Sequence, residues 1–203
     1  MIEIWLVRHG QTVENCERII QGQLDGKLSP EGIEQARRVA EALKDIRFDA
    51  IYSSDLGRAR ETTHYIQAYH PDTPVIYSSL LREKNFGVLQ GKRIQELDLS
   101  SSEPWQFIFT RNEGEPPEAV AQRARELLRL IQEKHPGQKL LLVGHGFFNS
   151  CFINILRGEE VCYANLHRQM NTAINYFCLD EPGVLGQCQL NSTEHLGGER
   201  KPA

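Results

Sequence analysis

The chain has 203 residues, a formal charge of −4 and an apolar share of 40%, the size and balance of one soluble domain that buries a core without staples. No run approaches the roughly 18 apolar residues of a membrane span, and the first apolar run is short and carries Glu3 in place of basic residues, so the expected compartment is the cytoplasm. Cys16, Cys151, Cys162, Cys178 and Cys188 are odd in number and lack a C-x-x-C pair, which argues for free thiols over disulfides or zinc, while the acidic balance argues against a nucleic-acid partner.

The first predicted element is a strand over 2–7, where Ile2, Ile4 and Leu6 alternate with Glu3, Trp5 and Val7. It empties into Arg8-His9-Gly10, and the carboxyl end of a strand is where open α/β sheets bind ligands. A guanidinium can clamp two oxygens of a phosphoryl group, a neutral imidazole nitrogen can attack phosphorus, and a glycine lets the backbone turn with no Cβ in the way. Ser29 then precedes Pro30, Glu31, Gly32 and the apolar Ile33, Ala36, Val39, Ala40 and Leu43. An N-cap, a proline at the first helical position and a stripe at helical spacing predict a helix from about 30 to 45.

A second strand over 49–53 runs into a helix over 55–69, opening at Asp55 with Arg58 in its first turn. Free N–H groups at a helix start favour anions, and Arg58 adds a permanent bidentate donor. The short strand over 74–77 leads to Leu80-Leu81-Arg82-Glu83-Lys84, which brings Glu83 close to the same edge; the plainer reading is a solvated carboxylate paired with Arg82 or Lys84. Trp105, Phe107, Ile108 and Phe109 read either as the packed face of a helix or as an apolar wall over a leaving group. A helix over 116–134, with Val120, Ala124, Leu127, Leu128 and Ile131 on one face, stops at Lys134-His135-Pro136-Gly137. The strand over 139–143 then empties into Gly144-His145-Gly146. Two late runs, 172–179 and 185–190, flank a turn-rich spacer and predict an antiparallel hairpin, and the polar residues from Ser192 predict a loose tail.

Strand and helix alternation of this kind predicts one domain over 1–203 of the α/β class, in three α/β/α layers, with a mostly parallel sheet, helices on both faces and a C-terminal antiparallel element. Three strand exits then carry Arg8-His9, Arg58 and His145 to one edge. Such groups repel one another unless an anion sits among them, and phosphate is the natural guest. His9 is the candidate nucleophile. Hydrolysis through it takes two displacements, each needing a proton donor or acceptor, and a carboxyl group in a confined site, Glu83, can serve both. His64, His70, His135, His167 and His195 lack metal-ligand spacing and read as ordinary polar residues; no metal and no cofactor are expected.

These motifs resemble the histidine phosphatase superfamily, in its phosphoglycerate mutase-like branch named for R-H-G. The resemblance runs through R-H-G-Q-T with Asn15 at 8–15, Gln21-Gly22 and L-S-P-E-G-I-E-Q-A at 28–36, S-S-D-L-G-R-A-R-E-T at 53–62, L-R-E-K-N-F-G-V-L-Q-G at 81–91 and G-H-G at 144–146. It implies that His9 is phosphorylated, that Arg8, Arg58 and His145 hold phosphoryl oxygens, and that Glu83 is general acid and then base. It also implies that Asn15, Gln21, Gly22 and Gly146 contact phosphate or substrate, and that a homodimer is conceivable. Phosphoglycerate mutases resemble one another in a longer, basic insertion between the positions of Gly91 and Glu118, where this chain has a short stretch with only Lys92, Arg93 and Arg111 as cations. That favours a phosphatase acting on a small phosphorylated substrate, with a mutase, or an α-ribazole, phosphoserine or fructose-2,6-bisphosphate phosphatase, as alternatives and a non-catalytic phosphate-ester-binding module as a distant one. Gly114-Glu115-Pro116-Pro117 departs from the family's common G-E-S at the start of the following helix.

Overall fold

In the computed structural model, residues 1–97, 113–180 and 184–197 are described. The chain order is β1 (Ile2–Arg8), α1 (Val13–Cys16), α2 (Pro30–Leu43), β2 (Ala50–Ser54), α3 (Gly57–Gln67), β3 (Val75–Ser78), α4 (Pro117–Lys134), β4 (Lys139–Gly144), α5 (Gly146–Arg157), β5 (Ile174–Asp180) and β6 (Val184–Ser192). The six strands form one sheet in the order β3-β2-β4-β1-β5-β6. β3, β2, β4 and β1 run parallel, and β5 and β6 join antiparallel beyond β1. The expected α/β architecture with a mostly parallel sheet and a terminal antiparallel element is therefore present.

Alternation along the strands decides which helix covers which face. Ile4, Leu6, Leu140 and Leu142 pack with Val120, Ala124, Leu127 and Ile131 of α4 and with Phe148, Phe152 and Ile153 of α5. Val7, Ile51, Leu141 and Val143 point the other way, onto Val39, Ala40 and Leu43 of α2 and Ala59 and Ile66 of α3. α2 starts as its sequence requires, with the Ser29 hydroxyl accepting from Gly32 N at 3.0 Å and Pro30 in the first turn.

Register brings the strand exits level. Arg8 pairs with Gly144, so His9 and His145 each stand one residue beyond the same rung, and His9 N still donates to Gly144 O at 3.0 Å. β2 ends beside them at Ser53 and Ser54.

Several details differ from expectation. α3 opens at Gly57 after a Leu56 N-cap that has no capping side chain, two residues later than Asp55 suggests. α5 has no forecast, because its apolar residues lie all around the helix and give no single stripe to read: Phe148, Cys151, Phe152, Ile153 and Leu156 are all buried. β5 begins at Ile174, since Thr172 sits at φ 54 and breaks the extended run. The loose tail is corrected over its described part. Ser192 closes β6, and Glu194–Leu196 forms a 3-10 turn whose His195 Nε2 lies 3.1 Å from Thr172 Oγ1 and whose Leu196 carbonyl accepts from Arg38. Trp105, Phe107, Ile108, Phe109 and Arg111, and residues from 198 onward, lie outside the described residues.

Candidate active site

The Arg8-His9-Gly10 turn is held by backbone bonds and by side chains distant in sequence. Gly10 N donates to Thr62 Oγ1 at 3.0 Å, and Thr172 N to Arg8 O at 3.0 Å. Asn171 Nδ2 donates to His9 O at 3.0 Å and reaches Asn15 Oδ1 at 3.4 Å. Gly10 is required by close packing as well as by the turn: a Cβ there would stand 2.5 Å from the Gly32 carbonyl oxygen at the start of α2.

His9 is 2% exposed. Its Nδ1 lies 2.7 Å from the Gly10 carbonyl, which can only accept, so Nδ1 carries the proton and Nε2 keeps a lone pair. Arg58 Nε donates to that Nε2 at 3.2 Å. Burial first, then the Arg58 and Arg8 charges, hold the imidazole well below its ordinary value, with the Gly10 bond opposing. His9 is therefore neutral at pH 7.

Arg58, in the first turn of α3 and 1% exposed, also donates to Leu24 O and Gly22 O, each at 2.8 Å. Burial lowers its guanidinium to about 10, which leaves it charged at neutral pH. The Gly22 turn depends on glycine: φ is +55°, and a Cβ would fall 2.1 Å from Gln90 Oε1. Arg8 donates through Nη1 to Gln169 O at 2.6 Å, and its Nε is buried with no hydrogen-bond partner among the described residues. Burial lowers the Arg8 guanidinium too, with Glu83 opposing.

Glu83 is paired with neither neighbouring cation. Arg82 forms a bidentate pair with Asp55 at 2.7 and 2.6 Å, and the Lys84 ammonium is buried against the Glu115 carbonyl. Instead Glu83 Oε2 accepts from Phe147 N at 3.1 Å, and Oε1 from Phe148 N at 3.1 Å and Lys84 N at 2.9 Å. The start of α5 thus grips the carboxylate through its free amides. Behind it, Arg123 of α4 donates to Leu80 O and Arg82 O, each at 2.9 Å, and to both oxygens of Glu115.

His145 is the N-cap of α5 and is 0% exposed. Its ring centroid lies 5.1 Å from that of His9, its Nε2 is 2.8 Å from Ser54 Oγ, and its Nδ1 is buried without a partner among the described residues. Burial, then the Arg58 charge, competition with His9 for a proton, and the Arg8 and Arg123 charges lower it well below the ordinary imidazole value, so it too is neutral at pH 7.

A cavity of about 210 Å³ is lined by Arg8, His9, Asn15, Gln21, Gly22, Arg58 and Glu83, together with the apolar Ile19, Ile20, Phe86 and Ile94. Of the nine residues expected at the site from sequence, His145 and Gly146 are not in this lining: His145 backs His9, while a Cβ at Gly146 would stand 3.5 Å from Arg8 Nε and 3.8 Å from Glu83 Oε2. Gln21 Nε2 donates to Thr12 Oγ1 at 2.8 Å, which anchors the loop to the α1 capping box formed by Thr12 and Asn15. Sequence reasoning missed Ser54, Thr62, Gln169 and Asn171, whose single polar groups carry no spacing signal. It also missed the apolar wall, although Ile19-Ile20 beside Gln21-Gly22 was available as a cue. Among the described residues, no cluster of His, Cys, Asp or Glu is arranged to hold a metal ion, and no helix is long and apolar enough to cross a membrane.

Comparison with known proteins gives the family. The sequence profile of the histidine phosphatase superfamily (branch 1) matches residues 4–187. A protein of Shigella boydii named "Probable phosphoglycerate mutase GpmB" is 36% identical over 183 residues, 86% of this chain and 84% of that protein. The α-ribazole phosphatase structure from Shigella flexneri superposes with a TM-score of 0.82 at 25% identity, covering 94% of this chain and 96% of that one. Phosphoserine phosphatase from Entamoeba histolytica, solved with 3-phosphoglyceric acid, gives 0.81 at 29% identity, covering 97% and 100%.

Proposed function

The chain belongs to the histidine phosphatase superfamily, branch 1, and from that membership we propose that it is a phosphomonoester hydrolase working through a phosphohistidine on His9, without metal or cofactor. The observation that carries this reading is the set of groups lining one small cavity: a neutral imidazole whose Nε2 keeps its lone pair, two guanidiniums, and a carboxyl group held by amides.

In the first displacement His9 Nε2 bonds to phosphorus as the ester P–O bond breaks, and Glu83, which enters this step carrying a proton taken up with the substrate, passes it to the departing oxygen. Charge spreading over the equatorial oxygens meets Arg8 and Arg58, donors already fixed in place, with His145 close behind His9. In the second, a water oxygen attacks phosphorus, the P–N bond breaks, Glu83 takes the water proton, and His9 returns to its starting form. Asn15, Gln21 and Gly22 shape the phosphate side of the pocket.

Hydrolysis is favoured over mutase chemistry by charge. A mutase on phosphoglycerate must hold a second anion, yet the permanent cations lining the cavity among the described residues are Arg8 and Arg58, and much of the remaining lining is apolar. Arg93 is engaged by Glu17 at 3.0 Å and Glu96 at 4.0 Å. A mutase remains the second reading because the 36% identical relative carries that name.

Phosphate release from a panel of phosphomonoesters with EDTA present tests the proposal. Release from several esters is the expected result. Interconversion of 3- and 2-phosphoglycerate without release would assign the mutase, and silence in both assays would leave a binding module.

A further inference from the structure

Ser54 closes β2 and is fully buried, outside the lining of the cavity. Among the described residues its hydroxyl oxygen has two hydrogen-bonding neighbours. Leu56 N stands at 3.3 Å and can only donate; His145 Nε2 stands at 2.8 Å. A serine hydroxyl carries one proton. With the amide already donating to the oxygen, the acceptor left for that proton among these contacts is a lone pair on His145 Nε2, and the imidazole's own proton then belongs on Nδ1. That Nδ1 is the ring atom buried without a protein partner, in a ring 5.1 Å from His9.

We propose that Ser54 is a positioning residue that fixes His145 as the Nδ1–H tautomer, so that His145 meets a phosphoryl oxygen with a donor instead of a lone pair. The inference rests on the reading of the cavity as a phosphoryl site. His9 and His145 then share one tautomer and put it to opposite uses. A carbonyl at Nδ1 pins His9 and leaves Nε2 as nucleophile; a hydroxyl at Nε2 pins His145 and leaves Nδ1 as donor. Without the hydroxyl, a neutral His145 can place its proton on either nitrogen. A lone pair at Nδ1 would repel the phosphoryl oxygens that the pocket must hold.

The test is the two-bond ¹H–¹⁵N spectrum of ¹⁵N-histidine-labelled protein at neutral pH, with the His145 signals assigned by their loss in His145→Gln. The expected wild-type pattern has a protonated Nδ1 and an unprotonated Nε2. Ser54→Ala should shift His145 towards the other tautomer and weaken inhibition by inorganic phosphate about tenfold, the scale of one hydrogen bond to a charged acceptor, and Ser54→Thr should restore both. A wild-type His145 protonated on Nε2 overturns the proposal, and that result needs no variant to fold. A folded Ser54→Ala protein with an unchanged His145 spectrum overturns it as well. The expected tautomer with no phosphate release from any ester would instead overturn the phosphatase reading and leave the tautomer assignment standing.

Discussion

Arg58 Nε donates to His9 Nε2 at 3.2 Å, which places a permanent cation on the lone pair that the proposed mechanism sends to phosphorus. The other two guanidinium nitrogens are tied to the Gly22 and Leu24 carbonyls, so the head group stays put while its Nε is free to trade partners. An arriving phosphoryl oxygen is a charged and therefore stronger acceptor than an imidazole nitrogen. Exchanging one for the other uncovers the nucleophile only when its target is in place.

Arg58→Lys should consequently lose most of the activity although charge is kept. An ammonium on a flexible stem cannot span two carbonyls and a phosphoryl oxygen at fixed angles. The expected fall in kcat/KM is roughly 10²- to 10³-fold, read by steady-state kinetics on one ester. A loss of only a fewfold would make Arg58 a structural tie for the Gly22 loop.

Glu83→Gln separates acid catalysis from packing. The amide can keep some contact with the start of α5 but has no proton to give, so esters of poor leaving groups should slow by about 10²- to 10⁴-fold, while p-nitrophenyl phosphate, whose leaving group scarcely needs a proton, slows far less. Equal losses on both kinds of ester would remove Glu83 as the leaving-group acid.

Gly22→Ala meets two penalties, a φ of +55° and a Cβ placed 2.1 Å from Gln90 Oε1. That oxygen accepts from Gln23 N at 2.8 Å and Phe86 N at 3.3 Å, so it cannot retreat without loosening the pocket wall. A loss of about 1–3 kcal/mol in urea unfolding is expected, together with a raised KM, because Gly22 O is one of the anchors of Arg58. Unchanged stability and KM would show that the loop has another conformation open to it.

Acid should destabilise the fold before the carboxylates titrate. His9 and His145 lie well below the ordinary imidazole value through burial and neighbouring Arg charge, and burial with Arg38 nearby lowers His195 to about 4. The unfolded chain therefore binds more protons than the folded one once pH drops below about 6.5, and stability declines from there towards each folded pKa. Each such imidazole adds up to about 1.4 kcal/mol per pH unit. Urea melts between pH 7 and pH 5 should show this slope, and His145→Gln should flatten it; an identical slope in the variant would mean that His145 is charged in the fold.

The fold was legible wherever one face of an element meets the core, as in β1 with Ile2, Ile4 and Leu6 and in α2 with Ala36, Val39 and Leu43. Parallel pairing then put Arg8, His9, Arg58 and His145 on one edge, which needed only strand ends to be recognised. Glu83 was placed by its motif; its partners were not, since the Phe147 and Phe148 amides are contributed by a helix 64 residues away, and α5 itself has no apolar stripe to read. Ser54 and Asn171 act through isolated hydrogen bonds across the sheet edge, and such bonds depend on β2 and the segment before β5 arriving beside β1 and β4. His195 looked like part of a tail because polar residues near a terminus carry no packing signal, yet it docks on Thr172.

The central claim is a phosphoryl group on His9, and rapid quenching in base during turnover of a phosphomonoester, followed by peptide mapping, tests it most directly. An acid-labile, base-stable phosphate is expected on the peptide containing His9, and both it and turnover should be absent in a folded His9→Ala protein. Turnover that leaves His9 unmodified, or that survives in His9→Ala, would contradict it.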